Sequence, residues 1–273
     1  MSLSDARALP RGKATYAAAD GIALITLTNP PANGYSYDMM RDLDEAILEA
    51  RFDEAVQVIV LAGAGEKFFC AGADIGMLDA VTPSFKYAFC LHANETLLRL
   101  EHTPKLVLAA LSGHCVGGGL EIAMAADLRI ARRGSGRCGL PEIALGVLPG
   151  TGGTQRLARI VGRARAIELM ATGALFDYER ASELGIVNKL LDASDDADFL
   201  AQVVAYARTF CTPDKAALGV GLIKRAVQTG LELPLEAGLA LERELQAKLF
   251  ASLDAKEGIS AYVEKRKPTF QGR

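Results

Sequence analysis

Short apolar runs alternate with amphipathic segments along the first two-thirds of the chain. Residues 21–29, 56–65 and 105–113 are runs rich in Val, Ile, Leu and Ala that end in turn-forming residues, as is typical of buried strands. Between them, residues 36–53, which open with a Ser cap, and residues 85–102 repeat apolar positions at helical spacing. Buried strands separated by helices predict parallel βαβ units covered on both faces, and hence an α/β fold.

The pattern changes after about residue 195, where the strand-like runs stop and helical spacing takes over. Four helices are predicted in this part of the chain, over residues 195–211, 213–229, 234–251 and 254–266. The sequence therefore divides into an α/β core over residues 1–195 and a helical C-terminal region over residues 196–273.

Composition narrows the classes of protein that this chain can be. Hydrophobic residues make up 50% of its 273 residues, which is enough to bury a sizeable core. The net charge of −3 gives no basic excess for binding nucleic acid or an anionic membrane surface. The longest apolar runs, such as 106–111, are too short to span a bilayer. Residues 1–20 lack the apolar stretch of a signal peptide, so we expect a cytoplasmic protein.

Five cysteines are spread along the chain, at positions 70, 90, 115, 138 and 211. They form no C-x-x-C pair, and with only three histidines they give no plausible metal site. Reduced thiols in a cytosolic protein are the expected state. Cys115 lies beside a glycine run, but because no basic partner is at hand we interpret it as a packed small apolar residue rather than a nucleophile.

Residues 134–139, GSGRCG, match the G-x-G-x-x-G pattern of dinucleotide-binding loops. That pattern requires a helix to begin on the glycines and an acidic residue to follow about twenty residues later. Here Pro141 follows within two residues, and no acidic residue lies at 155–165. A tight turn is the better interpretation. The sequence also lacks G-x-x-x-x-G-K-[ST] and G-x-S-x-G, which argues against NTPases and serine hydrolases.

Two glycine-bearing loops carry the strongest candidate chemistry. Residues 68–77 (FFCAGADIGM) and 113–123 (GHCVGGGLEIA) each follow a strand-like run. Because glycine allows close approach and a helix start exposes N–H groups, two such loops can aim two donors at one oxyanion. Glu121 and Glu142 can divide acid and base roles as a coupled pair. Taken singly, close helix-on-strand packing, a helix-dipole glutamate and a surface glutamate explain the same features.

Three segments together resemble the crotonase (enoyl-CoA hydratase/isomerase) superfamily. They are residues 67–75 (KFFCAGADI), 112–131 (SGHCVGGGLEIAMAADLRIA) and 141–162 (PEIALGVLPGTGGTQRLARIVG), and the likeness extends from about residue 14 to 267. The resemblance implies a crotonase-like spiral of ββα and βαβ turns, with a C-terminal helical region that joins subunits and covers the active site. It also implies an acyl-CoA thioester as the substrate and a homotrimer or homohexamer as the assembly.

The resemblance assigns roles to particular residues. The backbone N–H groups of Ala73 and Gly118 match an oxyanion hole that binds the thioester carbonyl and stabilises an enolate. Glu142 matches a proton donor to Cα, Glu121 matches a residue that helps to activate water, and Gly150 matches a backbone N–H that orients this water. The implied substrate-binding positions are Ala71, Ala73, Asp74, Ile75, Gly76 and Gly118. CoA arrives as part of the substrate, so the resemblance implies no separate cofactor and no metal.

The presence of both glutamates favours an enoyl-CoA hydratase, which adds water to a trans-2-enoyl-CoA. Isomerases of the superfamily commonly keep only the glutamate that matches Glu142, and other relatives place different groups around the same oxyanion hole. A non-catalytic RNA-binding relative is a third hypothesis, which the acidic net charge and the two glutamates argue against. The sequence leaves the acyl chain and the pathway open, fatty-acid β-oxidation included.

Departures from the family pattern concern the substrate more than the reaction. Cys138 lies where an aromatic residue is frequent, Gly76 where a lysine is common, and Tyr35 where a leucine is common. Tyr35 can pack along the substrate groove or face a neighbouring subunit, and both interpretations stay open. For the CoA phosphates, charge alone points to Lys67 and to the basic cluster at 264–268.

Overall fold

The computed structural model describes residues 3–273, which form a mixed α/β fold of two sheets with surrounding helices. In this range the strands are β1 Arg7–Ala8, β2 Ala14–Ala19, β3 Ile22–Leu27, β4 Val58–Gly63, β5 Phe68–Cys70, β6 Leu106–Leu111, β7 His114–Val116, β8 Leu128–Arg132, β9 Arg137–Gly139, β10 Phe176–Asp177 and β11 Lys189–Leu191. The helices are α1 Tyr37–Phe52, α2 Ile75–Ala80, α3 Pro83–Glu101, α4 Gly118–Met124, α5 Gly153–Val161, α6 Arg163–Thr172, α7 Tyr178–Glu183, α8 Asp196–Arg208, α9 Ala217–Gly230, α10 Leu235–Phe250 and α11 Leu253–Glu264, with a 3-10 helix at Glu142–Leu145. The α/β class predicted from the alternating pattern is confirmed.

The larger sheet has seven strands in the order β1-β2-β3-β4-β6-β8-β11. Strands β1 to β3 pair antiparallel, and every pair from β3 onward is parallel. Its central strands β3, β4 and β6 are the three apolar runs that the sequence predicted. Apart from Thr26 in β3 they are free of polar residues, as expected for strands of a sheet that is covered on both faces.

Side chains of β4 alternate between two hydrophobic cores. Ile59 and Leu61 belong to the core that also contains buried side chains of α1, α3 and α4. Val58 and Val60 point the other way and join a core with Phe199 of α8. This two-sided burial is what the sequence predicted for parallel βαβ units.

A second sheet of four short strands is not predicted by the sequence pattern. Its order is β10-β9-β7-β5, with β5, β7 and β9 parallel and β10 antiparallel. Each strand has only two or three residues, too few to produce a detectable alternation. The two glycine loops therefore begin as neighbouring strands, since Phe68 pairs with His114 and Cys70 pairs with Cys115.

The GSGRCG segment at 134–139 forms a turn and then β9. Gly134 has a φ of +68°, and β9 begins at Arg137, so the predicted tight turn is confirmed. Cys138 is fully buried in β9 beside Cys115. Burial raises the pKa of the Cys115 thiol well above its usual value, as expected for a packed residue and not for a nucleophile.

The four helices predicted after residue 195 are confirmed as α8 to α11, within four residues at each end. Helix α8 covers the outer face of the larger sheet. Lys224 of α9 is buried and lies 2.8 Å from a carboxylate oxygen of Asp127, which ties α9 to the start of β8. No helix within residues 3–273 combines the length and apolar character that crossing a bilayer requires.

Candidate active site

One cavity of about 700 Å³ brings together most of the residues that the sequence singled out. Six predicted positions line it: Ala71, Ala73, Gly118, Glu121, Glu142 and Gly150. Apolar side chains from α2, the 3-10 helix and the segments that follow them form much of the remaining wall, among them Leu78, Val81, Leu145 and Leu148. Among the described residues of the wall, Lys86 of α3 is the one basic side chain. A cavity of this size and composition accommodates a small organic ligand.

The two glycine loops leave the smaller sheet side by side. Strands β5 and β7 are parallel neighbours, so the segments after Cys70 and Val116 emerge at the same sheet edge. A Cβ added at Gly72 would lie 3.0 Å from the carbonyl oxygen of Val116. The backbone of one loop therefore packs directly against the backbone of the other.

Tyr35 fixes the direction of the Ala73 N–H group through an isolated parallel bridge between the two residues. The Tyr35 N–H donates to the Gly72 carbonyl at 2.8 Å, and the Asp74 N–H donates to the Tyr35 carbonyl at 3.1 Å. Successive N–H groups of an extended chain point to opposite sides. The Ala73 N–H therefore points away from Tyr35, in a residue that lines the cavity.

Each of the three glycines at the start of α4 is required for a different structural reason. Gly117 has φ +56° and ψ −128°, a conformation that other residues rarely adopt, and it turns the chain from β7 into α4. A Cβ at Gly118 would overlap the ring of Tyr35, and one at Gly119 would overlap the carbonyl oxygen of Cys70. Because the leading N–H groups of a helix have no partner within it, the Gly118 N–H is available to a ligand in the cavity.

Glu121 lies in the first turn of α4, and the start of α5 holds its carboxylate. Its Oε1 accepts hydrogen bonds from the backbone N–H groups of Thr151 and Gly153, each at 2.7 Å. Glu121 is only 1% exposed, and this burial raises its pKa, while the two N–H donors oppose the rise. The N-terminal ends of α4 and α5 both favour a negative charge at this position.

Glu142, the first residue of the 3-10 helix, has a different environment. Its Oε2 is buried and has no hydrogen-bond partner among the described residues. Its Oε1 faces Gly117, where an added Cβ would lie 2.9 Å from it. Burial raises the pKa of Glu142 to about 7, and the negative charge of Glu121 contributes to the rise. A carboxyl group in this setting keeps its proton close to neutral pH.

The two carboxyl groups are therefore suited to opposite roles. Glu121, with two N–H donors, is the better site for the negative charge, and Glu142 is the better site for the proton. Because the two carboxyl groups interact, the negative charge on Glu121 makes Glu142 harder to ionise. The pair can take a proton from one ligand atom and deliver a proton to another, beside two N–H groups that can bind an oxyanion.

Comparison with known proteins identifies the family. The profile of the enoyl-CoA hydratase/isomerase family matches residues 17–273. The chain belongs to this family. It is 40% identical over 256 residues to a probable enoyl-CoA hydratase of Rhizobium meliloti, which covers 92% of this chain and 95% of that protein. It is 36% identical over 247 residues to the short-chain-enoyl-CoA hydratase of Clostridium acetobutylicum, which covers 90% of this chain and 92% of that protein.

Solved structures of the enoyl-CoA hydratase/isomerase family share the fold. An enoyl-CoA hydratase from Geobacillus kaustophilus HTA426 matches with a TM-score of 0.91 and 42% identity, over 96% of this chain and 97% of that one. An enoyl-CoA hydratase from Bacillus anthracis matches with a TM-score of 0.88 and 30% identity, over 96% of this chain and 100% of that one. The predicted crotonase-like fold is confirmed.

In this member of the enoyl-CoA hydratase/isomerase family, two predicted substrate-binding positions, Asp74 and Gly76, are not among the described residues that line the cavity. Ile75 begins α2, and its side chain lies outside the described part of the chain, so its predicted role stays a prediction. The Asp74 side chain caps that helix by accepting a hydrogen bond from the Met77 N–H at 3.0 Å. The start of a helix needs such a partner for its N–H groups, which explains the acidic residue at this position.

The basic cluster at 264–268 is largely committed to ion pairs. Arg266 and Lys267 each contact a nearby carboxylate, at 2.6 Å and 2.7 Å. These contacts neutralise much of the charge on which the predicted CoA-phosphate role relies. Lys67 is exposed and lies over the ring of Phe68, and its role toward the phosphates stays a prediction.

Sequence reasoning missed three residues that act on the carboxyl pair. Thr151 and Gly153 hold Glu121 through backbone N–H groups, so their side-chain types carry no signal, and the glycine run at the start of α5 is the local hint. Lys86 reaches the cavity from α3, and its positive charge lowers the pKa of both glutamates. That effect depends on where the fold places α3, which the local sequence does not encode.

Proposed function

We propose that this protein is a cytoplasmic enoyl-CoA hydratase, which adds water to a trans-2-enoyl-CoA and yields a 3-hydroxyacyl-CoA. The observation that carries the proposal is the pair of carboxyl groups of Glu121 and Glu142. They line one cavity beside the two glycine loops, and their environments favour opposite protonation states. Relatives support it: the Clostridium acetobutylicum protein is a short-chain-enoyl-CoA hydratase, and a Syntrophomonas wolfei protein, 33% identical, is a crotonyl-CoA hydratase. The five free cysteines are in keeping with a reducing compartment.

In the proposed reaction the thioester carbonyl oxygen binds between the N–H groups of Ala73 and Gly118. Attack at C3 moves the electrons of the double bond toward this oxygen, so negative charge develops where the two donors already point. Donors held in place before the reaction stabilise an enolate without reorganising during it. CoA belongs to the substrate, and we propose no separate cofactor.

The two glutamates and Gly150 bind the water and transfer the protons of the reaction. Glu121 and the Gly150 N–H hold the water, and ionised Glu121 takes one proton as the water oxygen bonds to C3. Glu142 then gives its proton to C2 of the enolate, so that the substrate has gained a hydroxyl at C3 and a hydrogen at C2. Transfer of a proton from Glu121 back to Glu142 restores the starting state.

Incubating the purified protein with crotonyl-CoA tests the proposal. The absorbance of the conjugated enoyl thioester should fall as 3-hydroxybutyryl-CoA forms, and mass spectrometry should find the mass of one water added. Heat-unfolded protein serves as the control. If thioesters with short, medium and long trans-2-enoyl chains all keep their absorbance, the proposal is wrong.

Double-bond isomerisation is the second candidate, because Glu142 and the N–H groups of the two glycine loops would suffice for it. Glu121, which is only 1% exposed, would then be a buried structural carboxylate. A Glu121→Ala variant separates the two functions. For a hydratase, the variant should hydrate a trans-2-enoyl-CoA at least about tenfold more slowly. A wild type that converts 3-enoyl-CoA to 2-enoyl-CoA much faster than it hydrates, with a Glu121→Ala variant that keeps this activity, would favour the isomerase.

We also propose that three or six copies assemble through the C-terminal helical region. Large apolar side chains are exposed at the end of α9 and on α10 and α11, namely Leu231, Leu235, Phe250, Tyr262 and Val263. Exposed apolar surface of this kind marks subunit interfaces. Light scattering after gel filtration should give three or six times the 28.9 kDa of one chain, and a monomer at micromolar concentration would contradict the assembly.

A further inference from the structure

Tyr35 is the residue whose role the sequence left open between the substrate groove and a subunit contact. It follows the turn after β3, and its backbone is tied to the segment from Gly72 to Asp74 by two hydrogen bonds. Tyr35 is only 3% exposed and lines the cavity, so it does not face a neighbouring subunit.

The ring of Tyr35 packs against the loop that carries one of the two N–H donors. A Cβ at Gly118 would overlap the ring, so the ring and the Gly118 backbone are in direct contact. The ring also stacks on Phe89 of α3, with centroids 5.3 Å apart and planes at 27°. These contacts hold the ring in one place and set how far the Gly118 loop can move toward it.

The hydroxyl of Tyr35 reaches a third segment, the one that holds Glu121. Tyr35 OH and Thr151 Oγ1 form a hydrogen bond of 2.9 Å, and both residues are buried. The backbone N–H of Thr151 in turn donates to Glu121 Oε1 at 2.7 Å. Tyr35 therefore contacts both glycine loops, and through Thr151 it is linked to the backbone N–H group that holds the Glu121 carboxylate.

We propose that Tyr35 is a positioning residue whose ring and hydroxyl keep the Gly118 loop and the Thr151 segment aligned around the enoyl thioester. The inference rests on the proposed hydratase function and deepens it. A leucine, which is common at this position in the family, can fill space beside Gly118 but cannot hydrogen-bond Thr151.

A Tyr35→Phe variant keeps the ring and removes the hydroxyl, which leaves the Thr151 side chain without its partner. Weaker N–H donation from Thr151 disfavours the ionised form of Glu121, so the acid limb of the profile of kcat/KM against pH should move to higher pH. The loss of one buried hydrogen bond corresponds to a fall of roughly 2- to 10-fold in kcat and to a limb shift of about half a pH unit.

The test compares kcat, KM and the pH profile of Tyr35→Phe, Thr151→Val and the double variant, with a trans-2-enoyl-CoA that the wild type hydrates. Both single variants should lower kcat, leave KM nearly unchanged and shift the acid limb upward. The double variant should be no worse than the poorer single variant, because the two residues act through one hydrogen bond. Thr151→Ser, which keeps the hydroxyl, should restore the wild-type profile.

Tyr16→Phe is the matched control, because it removes a buried phenol hydroxyl that has no hydrogen-bond partner among the described residues. It should leave kcat and the pH profile unchanged. A wild-type kcat and pH profile in Tyr35→Phe would overturn the positioning role, even if the melting temperature falls. A wild type that hydrates no enoyl-CoA would instead be a failure of the proposed function, visible before any variant is made.

Discussion

Replacing Glu142 with glutamine should slow hydration of a trans-2-enoyl-CoA severely while the protein stays folded. Glutamine keeps the size of the side chain but has no acidic proton to give to C2. Because positioned proton transfer contributes about 10²–10⁴-fold in rate, kcat/KM should fall by a factor in that range. The rate at which the enoyl-thioester absorbance disappears measures the effect. Turnover near that of the wild type would rule out Glu142 as the proton donor.

The raised pKa of Glu142 adds a second signature to this variant. The folded protein holds the group at about 7, against an ordinary value of 4.5, so it binds this proton more tightly than the unfolded chain does. As pH rises from 4.5 to about 7, the unfolded chain loses this proton while the folded protein still holds it, so the folded state becomes progressively less stable relative to the unfolded chain. Glutamine cannot ionise, so the melting temperature of the variant should exceed that of the wild type by more at pH 8 than at pH 5. In the wild type, kcat/KM should fall as pH rises through about 7.

Glu95→Gln provides the matched control, because Glu95 is an exposed residue of α3 that does not line the cavity. The control should keep both the activity and the pH dependence of the melting temperature. If Glu142→Gln gains stability at pH 8 but remains active, Glu142 is a buried carboxyl group without the proposed catalytic role.

Those parts of the fold that form long apolar or amphipathic patterns were predictable from the sequence. In α1, for example, Ser36 precedes the apolar spacing and its side chain accepts a hydrogen bond from the Met39 N–H at 3.3 Å. The smaller sheet was not predictable, because its strands of two or three residues carry too little pattern. Yet this sheet brings the two glycine loops together, so the element that matters most for the cavity is the one with the weakest local signal.

In the candidate site, too, residues that belong to local motifs were predictable, and contacts between distant parts of the chain were not. Glu121, Glu142 and Gly118 belong to motifs whose residue types are visible in the chain, and the structure places all three on one cavity. The hydrogen bond between Tyr35 and Thr151 joins residues that are 116 positions apart, so no local pattern connects them. Contacts made by backbone N–H groups are hidden in the same way, because every residue except proline carries one.

The Gly118→Ala variant should lose about 10²–10³-fold in kcat for hydration, as is typical when one donor of an oxyanion hole is lost. Gly118 is the first residue of α4, and helical backbone angles suit alanine, so backbone strain is not the cause. The cause is space, since the new Cβ would overlap the ring of Tyr35. The loop must then move away from the ring, and its N–H moves away from the carbonyl oxygen of the thioester.

A second substitution can test this explanation directly. Replacing the ring with a smaller side chain in a Gly118→Ala, Tyr35→Leu double variant makes room for the Cβ, so hydration should recover part of the loss. Gly219→Ala is the control for adding a methyl group, because Gly219 lies within α9 with only ordinary van der Waals contacts around its Cβ position, the nearest at 3.6 Å, and it should be fully active. If the double variant stays as inactive as Gly118→Ala, contact with the ring is not what forces glycine at this position. The methyl group would then act on the substrate itself, which a rise in KM larger than the fall in kcat would reveal.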